Sequence, residues 1–186
     1  MKKYITTAAL VCAMVTTAQA GDLSVGAEYE NYNATKGGTD YNSVMVTPTY
    51  TTGPIILDLR IQHARTTGND MFNVLEAGAK YSMAVSEKAT ASLRGSYGAM
   101  FANGQQADFY TIEPGLAYVV TPALSVNGSY RFRDAFASSS NFDQTNTVFV
   151  GADYAVSKTN LVSAKLFRET GDVSGNGAQV AFTHTY

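Results

Sequence analysis

Arg131 and Arg133 stand two apart in the stretch Ser129-Tyr130-Arg131-Phe132-Arg133-Asp134. On an extended strand their guanidinium groups share one face, about 7 Å apart. Such a pair can take a carboxylate or a phosphate in a planar grip. It can equally be the structural partner of an acid such as Glu113, and the pairing rule for buried charges favours that role. The same polar phase carries Arg60, Lys80, Arg94 and Lys165 together with Glu28, Glu30, Asp58, Glu76, Glu113, Asp153 and Glu169. Folding each hairpin about its turn brings Glu113 to Arg131 and Asp153 to Lys165, which predicts cross-strand ion pairs.

Other chemistry finds little support. Only two histidines occur, and both His63 and His184 fall in the apolar phase of their segments, away from the charged face. His63 with Asp70 could form a constellation at a rim, but geometry must precede chemistry, and a non-catalytic protein is expected. Metal binding lacks two His at ligand spacing, and Gly37-Gly38 has no following helix to cradle a phosphate. No cofactor is expected.

The elements that must position these charges follow a period of two. Ten alternating segments can be counted: Leu23 to Glu30, Val44 to Tyr50, Ile55 to Gln62, Leu75 to Tyr81, Ala91 to Tyr97, Tyr110 to Tyr118, Leu124 to Arg133, Thr147 to Tyr154, Val162 to Glu169 and Val180 to Tyr186. Tyr50, Tyr81, Tyr118, Tyr154 and Tyr186 close the even-numbered segments, so the hairpin is the repeat unit. Three copies carry Gly-x-x-Tyr, at Gly78, Gly115 and Gly151. That spacing sends Gly and Tyr to opposite faces, with each Tyr in a lipid–water girdle and each Gly leaving room inside. Tyr29, Tyr97, Tyr130 and Phe132 would form the opposite girdle. Connections at Thr51 to Pro54, Ser86-Glu87, Thr121 to Ala123 and Ser157 to Asn160 are tight. The other five, such as Asn33 to Asp40 and Thr170 to Gly177, are predicted to be longer loops. Pro48 and Pro114 fall inside two segments, each removing a ladder donor; a bulge is expected there, or a count of eight strands if Pro114 breaks its segment.

Residues 1–20 read as a secretory signal peptide: Met1-Lys2-Lys3, an apolar stretch from Ala8 to Val15, and the small-residue site Ala18-Gln19-Ala20. Cys12, the single cysteine, lies within it, so the mature chain from 21 to 186 is cysteine-free. The formal charge is −2, and loss of Lys2 and Lys3 makes the mature chain more acidic. Without a basic cluster, nucleic acid is excluded as a partner. No apolar run in the mature chain approaches the roughly 18 residues of a membrane helix.

Alternation alone does not say which face is inside, and a soluble sandwich or lipocalin-like barrel alternates too. The signal peptide, the aromatic strand ends and the aromatic last residue point to a single up-and-down antiparallel transmembrane barrel. The ending Val180-x-Phe182-x-His184-x-Tyr186 resembles the C-terminal strand of Gram-negative outer-membrane β-barrel proteins. That resemblance implies a last strand, ending at Tyr186, that the barrel-insertion machinery reads. The stretch from Ser129 to Asp134 is more loosely similar to small monomeric porins for acidic oligosaccharides, whose lumen is lined by arginine.

The resulting expectation is an outer-membrane barrel embedded in the lipid bilayer with both termini periplasmic. It would pass small hydrophilic solutes through a narrow lumen lined by Arg60, Glu76, Lys80, Arg94, Glu113, Arg131, Arg133, Asp153 and Lys165. The alternative is a closed barrel presenting its loops for adhesion or phage contact.

Overall fold

The computed structural model describes residues 21–136 and 144–186. The expected signal peptide, 1–20, and residues 137–143 lie outside them. Ten strands follow one another along the chain: β1 (Asp22–Lys36), β2 (Tyr41–Thr52), β3 (Ile55–Thr66), β4 (Met71–Ala84), β5 (Ala89–Ala102), β6 (Gln105–Thr121), β7 (Leu124–Ala135), β8 (Thr145–Ala155), β9 (Asn160–Gly171) and β10 (Ser174–Thr185). Each pairs antiparallel with its sequence neighbour, and β1 pairs with β10, closing the barrel.

The strand registers, followed once around the barrel, give the stagger, with Glu113 opposite Arg131 by the unchanged register across the β6–β7 gap. The path runs from Asp22 through Thr51, Ile56, Lys80, Arg94, Glu113, Arg131, Thr147, Glu169 and Gly175 to Ala34, twelve residues from its start. Ten strands with that shear tilt at roughly 40° and form a backbone cylinder of roughly 9–10 Å radius. Such an interior is wide enough for long side chains to meet across it.

The orientation of the two faces is decided by burial. Val44, Val46, Leu93, Leu116, Val150 and Leu166 are all exposed on the outer surface, Val150 by 64% and Leu166 by 69%. Glu30, Asp58, Glu76 and Arg94 are buried within. A water-soluble barrel has the reverse arrangement, so this surface is made for lipid.

Pro48 and Pro114 stay inside β2 and β6, and the count remains ten. Neither introduces a bulge. The β2–β3 ladder skips from Val46↔Ile61 to Thr49↔Asp58, and the β6–β7 ladder from Ile112↔Phe132 to Gly115↔Ser129, with register unchanged across both gaps. Each proline keeps its place opposite its other neighbour, Val25 or Leu93. The missing N–H therefore interrupts one ladder only. Register shifts occur instead at Ala34/Lys36 and Val119/Thr121.

The expected contrast between short turns and long loops is not what forms. At one end the connections are 53–54, 85–88, 122–123 and 156–159, and both described termini lie there. At the other end they are 37–40, 67–70, 103–104 and 172–173, equally short, with only 136–144 longer. The Asn- and Gly-rich stretches predicted as loops continue the ladder: β1 runs on to Lys36, and Ala178, Gly177 and Asn176 pair with Asn31, Tyr32 and Asn33. Backbone pairing satisfies their amides, and Asn33 donates to Asn31 (2.8 Å) and Asn31 to Asn42 (2.9 Å) along the outside. One of the two-residue returns, Asn103-Gly104, has φ of 50° and 75°, the left-handed pair of a type I′ hairpin.

Candidate functional site: the barrel interior

Three layers fill the lumen between the turn end, with the termini, and the loop end. The middle layer is a charged belt. Arg94, 3% exposed, donates from Nε and Nη2 to Asp58 (2.8 and 2.5 Å) and from Nη1 to Glu76 (2.5 Å). The Ser96 hydroxyl donates to the same Glu76 oxygen (2.5 Å). Asp58 and Arg94 belong to strands separated by β4, and the contact passes over Gly78, where an added Cβ would lie 2.8 Å from Arg94 Nε. Gly78 therefore gives room not to a solute but to a guanidinium.

Arg131 donates from Nε to Glu113 (3.0 Å), which also accepts from Ser129 (3.0 Å). This is the cross-strand pair that hairpin folding predicts. Arg60 lies between Asp58 (3.7 Å) and Glu113 (3.9 Å), and Arg133 reaches Glu76 at 3.8 Å. Glu30 accepts from Tyr41 (2.6 Å) and from Gln179. Buried charges held in this way satisfy one another, and removing one member leaves the rest uncompensated.

The second expected pair does not form. Lys165 lies opposite Gly151, and Asp153 opposite Ser163; Asp153 instead accepts from Asn127 Nδ2 at 2.7 Å. The offset of two residues arises because the β8–β9 turn closes at 156–159 with a register that staggers the two charges.

Above the belt, at the loop end, the interior is aromatic. Tyr32 stacks on Tyr41 (ring centroids 4.8 Å) and on Phe167 (6.2 Å), Phe167 meets Phe149 (5.4 Å), and Phe72 stands edge-on to Tyr41 (5.2 Å). Phe109 is fully buried, its ring against Gly98, and the Phe167 ring lies against Gly177 in the same way. Arg131 sits 4.6 Å over the Phe149 ring and Arg133 4.8 Å over Phe109, so cation–π contacts seal belt to aromatic layer. Reading the polar phase by its charges missed this layer. The signal was present, as bulky rings in that phase alongside Gly98, Gly175 and Gly177.

Below the belt, toward the turn end, the interior opens. A cavity of about 300 Å³ is lined by Lys80, Lys165, Asp153, Ser92, Thr49 and the belt's lower edge. A smaller space of about 50 Å³ lies among Glu28, Glu30, Arg131 and Arg133.

On the outside, Tyr50, Tyr81, Tyr118, Tyr154 and Tyr186 all lie in the outward phase near the turn end. Tyr29, Tyr97 and Tyr130 are exposed toward the other end, where Tyr110 and Phe136 join them, Tyr97 and Tyr110 packing on Phe136 at 5.4 and 5.2 Å. Tyr118 pairs with Ala89, eight residues before Tyr97 on β5. At the strand rise and tilt above this is roughly 20 Å along the axis, near the height of a barrel's lipid-facing band. His63 bonds Asn73 (2.8 Å) on the outside, and His184 bonds Asn160 (2.9 Å) and meets Tyr186 edge-on. Neither histidine reaches the interior.

Among solved structures, an outer-membrane channel from Pseudomonas putida F1 is similar at a TM-score of 0.52, with 10% identity, over 90% of this chain and 96% of that one. A bacterial polysaccharide outer membrane secretin gives 0.53 at 9% identity, over 89% and 65%. The anion-selective porin from Comamonas acidovorans gives 0.41 at 15% identity, over 86% and 59%. The chain thus spans less than two thirds of the last two, and the likeness concerns the fold. No curated protein matches the sequence. The family model described as Gram-negative porin matches residues 13–172, nearly the whole barrel, and with apolar side chains outward and charges inward the chain belongs to the Gram-negative porin family.

Proposed function

We propose that this protein is an outer-membrane channel for passive movement of small hydrophilic solutes and that the ring-packed lumen is its closed conformation. The carrying observation is the charged interior that opens into a cavity of about 300 Å³ at one end inside an apolar exterior. A passage lined by both signs of charge suits polar solutes and rejects apolar ones. In this reading residues 1–20 direct export, the final strand ending at Tyr186 engages the insertion machinery, the tyrosine bands lie at the two lipid–water boundaries, and the turn end faces the periplasm. The constriction is the ring layer of Tyr32, Tyr41, Phe72, Phe149 and Phe167, and solute passes when those rings rotate aside.

That same layer favours a second reading, a permanently closed barrel that presents its loop end to other surfaces. Single-channel recording separates the two. Protein purified from outer membranes, checked by a heat-modifiable gel shift and inserted into a planar bilayer, is expected to open in brief small steps. Tyr32→Ala with Tyr41→Ala is expected to raise the conductance severalfold and prolong it. A folded protein that stays silent in both forms would sink the channel and leave the closed barrel.

A further inference from the structure

The interior's cations divide into two kinds. Arg94, Arg131 and Arg133 each have a carboxylate within 4.0 Å, and Arg60 lies between two. Lys80 and Lys165 have neither an ion pair nor a side-chain hydrogen bond among the described residues. Both line the cavity at the turn end, close enough that each feels the other's charge.

The acids of that cavity are already engaged. Asp58 holds Arg94, Glu113 holds Arg131, and Asp153 accepts from Asn127. Glu28 faces Lys165 across the adjoining small space, which both residues line, and the two charges act on one another without forming an ion pair among the described residues, so Lys165 is partly balanced from that side and Lys80 is not. Around Lys80 and Lys165 stand hydroxyls of Thr47, Thr49, Ser82, Thr90 and Ser92, none of them in a side-chain hydrogen bond among the described residues. Two ammonium groups that repel one another, facing a pocket of unengaged hydroxyl donors, are stabilised by an oxyanion placed between them. The arginine pair 131 and 133, with its charge spent on Glu113 and Glu76, has no comparable vacancy.

We propose that the turn-end cavity is a binding site for a small soluble oxyanion of the phosphate class, held between Lys80 and Lys165 with hydroxyl donors completing its shell. The barrel wall separates the cavity from lipid, so the ligand comes from solution. The proposal deepens the solute-channel reading by naming a solute class, yet binding itself needs no conduction.

The test uses protein purified from outer membranes in zwitterionic detergent, with inorganic phosphate as probe. Phosphate binding is followed by ³¹P resonance broadening, and lysine accessibility by acetylation and mass spectrometry. Phosphate should slow acetylation of Lys80 and Lys165 severalfold and leave Lys88 and Lys158, on the exposed turns, unchanged. Lys80→Gln or Lys165→Gln should each weaken binding about tenfold, the loss expected of one charge-assisted hydrogen bond, and the double variant should abolish it. Both variants should fold, as the gel shift will report, because neither lysine holds a belt residue. Unprotected lysines, or a double variant that binds phosphate like the parent, would overturn the site. Intact phosphate binding by a protein that never conducts would overturn the channel alone.

Discussion

The two ends of the lumen are built from the same ladder and the same alternation, yet one is packed and the other hollow. At the loop end the inward positions hold Tyr32, Phe72, Phe109, Phe149 and Phe167, and glycines at 98 and 177 make way for the rings. At the turn end the inward positions hold Thr49, Ser82, Ser92 and two lysines, whose small or flexible side chains leave a cavity of about 300 Å³. Both halves share the diameter set by strand number and shear. Side-chain volume therefore separates the filled half from the hollow one, and the charged belt between them is tied to the filled half by Arg131 and Arg133 lying over aromatic rings.

Breaking the belt should have the largest effect on stability. Arg94→Met leaves Asp58 and Glu76 buried without their main partner, and is expected to cost about 3–5 kcal/mol, read from the urea midpoint of the barrel refolded in liposomes. A loss under a third of that would mean that water enters the belt and that the lumen is less closed than its geometry. Truncation contrasts the two halves directly. Phe109→Ala in the packed half should cost about 3–5 kcal/mol, whereas Ile56→Ala, bordering the cavity, should cost roughly half of that or less because its neighbours already face open space. Equal costs would erase the distinction. On the outer surface, Leu166→Arg near mid-height should cost about 2–4 kcal/mol in a bilayer and little in detergent; the bilayer-specific part measures how deeply that face sits in lipid.

Much of this was legible along the chain. The ten segments, their faces, and the pairing of Glu113 with Arg131 follow from a period of two and from hairpin folding, since neighbours across a turn are set by local register. The Asp153–Lys165 pair shows where local reasoning stops: a turn that closes two residues differently replaces an ion pair with a hydrogen bond to Asn127. The predicted loops also misled, because Asn and Gly signal turns only when the ladder does not continue through them.

By itself the sequence determined the alternation, the charges and where the aromatic residues fall along each strand, because side-chain phase in a strand is a property of the chain. Only the closed tertiary structure decided that the apolar phase faces outward, that Arg94 crosses Gly78 to reach Asp58 two strands away, and that Tyr32 meets Phe167 across the β1–β10–β9 closure. Those contacts depend on the shear with which the sheet joins its own first strand, a quantity summed over all ten registers that no single segment contains.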